Sequence, residues 1–216
     1  ALSDMNRNWR HHVLPSYKQN REGKRRPLLW NPLRKYLTDN YNAIIWPALE
    51  ADDVIGILAT RNSIIVSEDK DFLTVPSLVY KPFSLDTDTP FIKVTKADAD
   101  RNHLLQTLTG DSADGYRGCP GVGPVKAAKL LKKGHWLEVV KAYQDAGLGE
   151  EDALRQARVA RILRSTKEYK RIGPCIRLWH PHMGGTAHLR SSTTSTFASE
   201  RRWLSDAVRF KKKEKL

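Results

Sequence analysis

The residues best suited to chemistry lie in the segment GDSADGYRGCPGVG at positions 110–123. Asp111 and Asp114 are three apart, so their carboxylates can point the same way and hold a hard divalent cation. Gly118, Gly121 and Gly123 follow, and glycines at this spacing let a backbone approach a phosphate with its N–H groups turned towards it. Pro124 suits the first position of the helix PVKAAKLLKK, whose N-terminus favours an anion and whose Lys126 adds a positive charge nearby. A cation site and a phosphate clamp within one short segment imply chemistry on a phosphodiester backbone.

Other acids are gathered in tight groups beside apolar runs. Glu50, Asp52 and Asp53 precede the run VIGIL, and Asp69 and Asp71 follow the run IIV. Acids in a first helical turn are commonly caps that complement the helix dipole, but one suffices and three exceed the need. Asp4 ends a short N-terminal stretch. Together with Asp111 and Asp114 these carboxylates would repel strongly in one pocket, and some would stay protonated, unless cations neutralised them. An all-oxygen donor set without Cys or His favours Mg²⁺ or Mn²⁺ over zinc. Two such ions, about 4 Å apart, serve both the attacking and the leaving oxygen at phosphorus. Lys18 can add charge at the scissile phosphate, and Arg21 can hold or steer the strand. No Ser–His–Asp or Cys–His pairing competes, and without GxxxxGK[ST] ATP hydrolysis is not expected.

The elements that must carry these groups follow from apolar periodicity. Residues 42–46 (NAIIW) read as a buried strand closed by Pro47, and 64–66 (IIV) as a second, with 78–80 a third short one. A helix opens at Glu50, with Val54, Ile55, Ile57 and Leu58 facing inwards. Strand, helix and β-branched strand predict an α/β fold with a mostly parallel central sheet flanked by helices. Ligands of such sheets bind beyond the carboxyl ends of the strands. Asp4, Glu50, Asp69 and Asp71 each follow a strand and would meet at that edge. Thr95 with Asp98 starts a helix that Gly110 ends. Helices are expected at about 124–133, 135–146 and 150–164, and 176–179 suits an edge strand. The expected division is an α/β core at 1–109 that includes a basic region at 5–35. A second subdomain at 110–181 and a disordered basic tail at 182–216 complete it.

The 216 residues carry a net charge of +13, which points to a polyanion. Between Arg7 and Lys35 nine Lys or Arg face a single acid, Glu22. Trp9, Tyr17 and Trp30 are interleaved among them, and aromatic rings among cations suit a single strand of nucleic acid as well as they suit a core. No run of eighteen apolar residues suggests a membrane span. Two cysteines, Cys119 and Cys175, offer no disulfide framework, and a reducing cell interior is the expected location. There is no initiator methionine and no strand or helix upstream of the stretch that ends at Asp4, so the chain is expected to continue from a longer protein.

Four segments, in this order, resemble the 5′→3′ exonuclease and flap endonuclease superfamily. They are YKQNR (17–21), EADD (50–53), SEDKDF (67–72) and GDSADGYRGCPGVGPVKAAKLL (110–131). The wording is closest to the 5′→3′ exonucleases of podophages, and the likeness runs from about Asp4 to Pro181. The resemblance implies a metal-dependent, monomeric phosphodiesterase of a phage-infected or bacterial cell. It would remove nucleotides from DNA 5′ ends and cut flaps or RNA primers in RNA–DNA hybrids. By this likeness Asp4, Glu50, Asp52, Asp53, Asp69, Asp71, Asp111 and Asp114 hold or orient two metal ions, and Lys18 and Arg21 act from a helical arch. Gly118 to Gly123 form a helix–three-turn–helix that grips duplex DNA, in relatives often with K⁺. The alternative is a noncatalytic, structure-specific DNA-binding module.

Overall fold

Apolar alternation in short segments produces two small sheets, and the later helices pack mainly on one another. The computed structural model describes residues 1–83, 90–172, 175–181 and the backbone of 207–209. Strand β1 (Ile64–Val66) pairs in parallel with β2 (Ser77–Tyr80), which pairs antiparallel with β3 (Phe91–Val94). The sheet is therefore mixed, because β3 adds an antiparallel edge that the sequence pattern did not reveal. In β1 only Ile65 is buried, while Ile64 and Val66 are 51% and 63% exposed. The β1 residues face a core on one side alone.

The strand expected at 42–46 does not form. Asn42 takes a left-handed φ of +52°, and Ile44 and Ile45 are exposed. Leu2 N–H donates to Ile44 O at 2.9 Å and Asp4 N–H to Leu49 O at 2.8 Å. Two isolated bonds do not make a ladder, so the N-terminal stretch is not a strand either.

The basic segment folds as α1 (Arg10–Val13), a 3₁₀ turn at Gln19–Arg21 and α2 (Trp30–Asn40). Trp9 and Tyr17 are 1% and 2% exposed, so two of the three interleaved aromatics belong to the core. Only Trp30 stays outside. Glu50 caps α3 (Ala51–Leu58), whose Val54 and Ile57 are buried. Gly56 lets this helix lie directly on the Leu163 backbone and the Ile162 side chain, where any Cβ would collide.

Thr95 and Asp98 cap α4 (Lys96–Thr109) reciprocally, and Gly110 ends it at φ +67°, as the pattern predicts. Helices α5 (Pro124–Leu130), α6 (Trp136–Asp145) and α7 (Glu150–Ala160) follow. Leu104 and Leu108 of α4 meet Ala127, Leu131, Val139, Tyr143 and Ala153 in one apolar cluster. Helix α7 stops at Ala160, short of the expected 164. Arg161 turns back to Glu168, Arg164 pairs with Asp100, and Leu163 N–H donates to Asp53.

The second sheet is antiparallel: β4 (Tyr169–Lys170), β5 (Cys175–Arg177) and β6 (Ala207–Arg209). The expected edge strand is thus β5, shifted by a residue or two. Strand β6 falls inside the segment expected to be a disordered tail; most of 182–216 lies outside the described residues. No described helix is long and apolar enough to cross a membrane.

Candidate active site

Three loops bring carboxylates towards the carboxyl end of β1. Asp69 follows β1 and caps a 3₁₀ turn, its Oδ1 accepting the Asp71 N–H at 2.9 Å. Asp71 Oδ1 accepts from Gln106 Nε2 of α4 at 2.5 Å. The segment between α4 and α5 is closed by paired backbone bonds between Asp111 and Tyr116, 2.8 and 3.1 Å. Gly110 and Gly118 stand back to back where neither tolerates a Cβ. Within this loop Asp111 Oδ1 accepts the N–H groups of Ala113 and Asp114.

Lys18 joins these pieces. Its Nζ lies 2.5 Å from Glu50 Oε1 and 3.4 Å from Asp114 Oδ1. Arg21 donates to Asp114 Oδ1 at 2.8 Å. These two cations do not lie on one helix, since Lys18 has a left-handed φ of +55° before the 3₁₀ turn. They converge on Asp114 all the same. The Tyr17 hydroxyl stands 2.9 Å from both Glu50 Oε2 and Asp114 Oδ2. With one proton it can donate to only one of them at a time. Lys70 pairs with Asp111 at 3.2 Å.

Protonation follows from this layout. Burial disfavours a charge on Glu50, yet Arg10 and Lys18 outweigh it and hold the carboxyl below the ordinary range. Burial works the same way at Asp111, and Lys70 overcomes it. Asp52 has no such partner: burial, then the charges of Glu50 and Asp53, push it up to about 7. Asp71 is pushed up to about 6 by burial and by the charges of Asp69 and Asp111. Asp69 adds to the repulsion at both, so it links the two groups electrostatically. Among the described residues, however, no three His, Cys, Asp or Glu side chains are grouped to hold one metal ion. The donor chemistry fits a hard cation, but lysine ammonium groups hold several of the donors.

Two expected ligands are engaged in other contacts. Asp53 is fully buried, and Arg10 grips it through two bonds of 2.7 and 2.9 Å. Trp9 Nε1 and Leu163 N–H donate to it as well. All five guanidinium N–H groups of Arg10 are used, the others by Glu50, Val159 O and Arg161 O. Asp53 is thus the centre of a structural ion pair. Asp4 accepts the N–H groups of Asn6 and Ala48 and ties a turn.

In the glycine segment, a Cβ added at Gly121 (φ +68°) or at Gly123 would meet nothing within 4 Å, so their backbone is open to an incoming group. Gly118 instead packs inside. Lys126 Nζ lies 3.3 Å from Gly121 O, beside the open turn. A cleft of about 740 Å³ runs beside this segment and the 16–20 turn, lined by Gln19, Asn20, Lys70, Asp111, Arg117 and Pro124. The sequence reading missed Arg117; its only signal is its place between the two back-to-back glycines.

This chain belongs to the 5′→3′ exonuclease family of nucleases. Residues 1–98 match the family described as 5′-3′ exonuclease, N-terminal resolvase-like domain. The chain is 32% identical to the exodeoxyribonuclease of Enterobacteria phage T3 over 81% of its own length and 70% of that protein. Its fold is similar to that of a phage T5 protein co-crystallised with metal ions, with TM-score 0.57 and 21% identity over 73% of each chain. It is also similar to the phage T5 flap endonuclease in a complex with DNA and metal ions, with TM-score 0.52 and 20% identity over 74% of this chain and 71% of that one.

Proposed function

We propose that this chain is a divalent-metal-dependent 5′ nuclease that hydrolyses phosphodiesters at the 5′ ends and flaps of DNA, including RNA primers on DNA. The observation that supports it best is the set of neighbouring acids Asp52, Asp69 and Asp71, which have no ion pair among the described residues and repel one another. Asp52 and Asp71 are pushed up to about 7 and 6, which means that this spot calls for a proton or a cation. Two Mg²⁺ or Mn²⁺ ions would be held by Asp52, Asp69 and Asp71 with Glu50, Asp111 and Asp114. When bound, such ions stabilise charge on the phosphoryl oxygens and make a water more acidic.

The remaining work falls to the chain's own side chains. Lys18 and Arg21 neutralise the phosphate in reach of Glu50 and Asp114. Gly121, Gly123 and Lys126 receive the duplex backbone, at a turn suited to K⁺. The T5 flap endonuclease that shares this fold was solved with DNA and metal ions, and we carry both to this chain as substrate and cofactor.

A second reading, a noncatalytic DNA-binding module, draws on the lack of a preassembled carboxylate triad among the described residues. One assay separates the two. A 5′-labelled flap duplex is expected to release short products with Mg²⁺, and Asp69→Asn with Asp71→Asn to abolish release while DNA binding in Ca²⁺ persists. Cleavage by the double variant at the parent rate would refute the metal assignment.

A further inference from the structure

The cations already present divide the acids into two sets. Glu50, Asp111 and Asp114 each carry a Lys or Arg partner. Asp52 has no hydrogen bond or ion pair among the described residues, and Asp69 and Asp71 take only amide N–H groups. We propose that Lys18 is a displaceable counter-ion: its ammonium holds a cation position between Glu50 and Asp114 until a divalent metal replaces it. This rests on the metal-dependent reading above.

The geometry allows the side chain to leave alone. Lys18 N–H donates to Asp114 O at 2.8 Å, and the Lys18 backbone lies 3.2 Å from a Cβ position on Gly115. The main chain is therefore pinned, so the movement falls to the four-carbon stem, which must also leave the Tyr17 ring 5.0 Å from its ammonium. Its departure does not release the carboxylates. Glu50 stays held by Arg10 and Asp114 by Arg21, with the single Tyr17 proton shared between them. What remains is a gap between Glu50 Oε1 and Asp114 Oδ1 that has lost one positive charge. A hard divalent ion restores that charge with a surplus. The position that Lys18 occupies is then the weaker cation site, because an ion entering it must first displace the ammonium. The freed ammonium is left near the place where a phosphate would arrive.

Calorimetric titration with Ca²⁺ tests the idea on the whole chain without any reaction. Lys18→Met is expected to tighten the weaker class of Ca²⁺ sites roughly three- to ten-fold, as removal of a competing ion pair should. Lys35→Met, at an exposed pair with Asp39, is expected to change nothing. As a check that needs no variant, reductive methylation of the parent chain read by mass spectrometry should modify Lys18 faster with Ca²⁺, relative to Lys35. If Ca²⁺ binds but either readout at Lys18 stays flat, the displacement is overturned and the nuclease reading stands. If neither the parent nor the variants bind Ca²⁺, the metal-dependent reading falls with it.

Discussion

Lys18 reaches Glu50 across 32 positions of chain, with Nζ 2.5 Å from Oε1. The contact joins the first basic turn to the start of α3, and Asp114 completes the bridge from the glycine segment at 3.4 Å. Both Lys18 and Glu50 are largely buried, at 18% and 12% side-chain exposure. On the proposed reading, this ammonium is the cation that meets the substrate phosphate.

From this follows a kinetic prediction. Lys18→Ala should lower the single-turnover cleavage rate with Mg²⁺ by about 10²–10³, the usual loss when one charge stabiliser is removed. Arg21→Ala, at an exposed position, should act mainly on substrate affinity. A Lys18→Ala chain that cuts at the parent rate would show that the ammonium never meets the phosphate.

Asp53 separates structure from catalysis. Its carboxylate has no exposure and is held by Arg10. Removing one partner of a buried pair leaves the other charge unpaired and costs about 3–5 kcal/mol. Urea unfolding in EDTA should show a loss of that order for Asp53→Asn, with no recovery on adding Mg²⁺. A metal ligand would give the reverse: unchanged or higher stability without metal, and a smaller gain with it.

The difference between Asp53 and its neighbours shows what the chain could and could not reveal. Residue types and order exposed the acids, and the capping pattern of Glu50 with Asp53 was visible. The partner of Asp53 was not, because Arg10 lies 43 positions away and looked like one more cation of a basic surface. Trp9 and Tyr17 misled for the same reason: alternation with arginines reads as a stacking platform until long-range packing buries them. Residues 42–46 had strand composition, yet a strand also needs a ladder, and composition carries no information about one. Helix α4 was legible because its cap and its stop are local. Strand β3 was not, since four residues with one buried position carry too weak a period.

Asp52 and Asp71 predict how metal-free stability depends on pH. Both are raised, to about 7 and about 6, so the fold favours their protonated forms. The stability this contributes is complete below the ordinary carboxylate range and is lost as pH rises through about 6 and 7. Thermal melts in EDTA should therefore show this contribution declining between pH 5 and pH 8. Asp52→Asn, which cannot ionise, should be more stable than the parent by about 1–3 kcal/mol at pH 8. Mg²⁺ should stabilise the parent more than the variant; equal gains would separate Asp52 from the cation.

His103 works in the opposite sense. It is 1% exposed, with Nε2 2.7 Å from Ala157 O, and burial holds its pKa down to about 3. The neutral ring fits the fold, so its contribution is present above the ordinary histidine value and is lost as pH falls towards 3. Between those limits the unfolded chain binds one extra proton, a slope of about 1.4 kcal/mol per pH unit. His103→Gln should remove that slope from the acid limb of a urea-unfolding series, even if its stability at pH 7 is lower. An acid limb of unchanged steepness would mean that the ring protonates inside the folded chain.

The two glycines at 118 and 121 share a left-handed φ, +66° and +68°, but differ in what surrounds them. At Gly118 a Cβ would strike the Gly110 N and Leu108 O atoms, whereas at Gly121 it would meet open space. Gly118→Ala should therefore destabilise the fold by more than the roughly 1 kcal/mol that φ strain alone costs. Gly121→Asp should stay near that strain limit in a thermal melt, yet put a charge where a duplex phosphate would approach. Its affinity should fall more for duplex than for single-stranded DNA, since only the duplex backbone is expected to reach the open turn. Arg117→Ala, on the cleft wall, should keep its melting temperature and reduce the salt slope of DNA binding by about one ion. Equal loss of duplex and single-strand affinity in Gly121→Asp would move the duplex contact away from this turn.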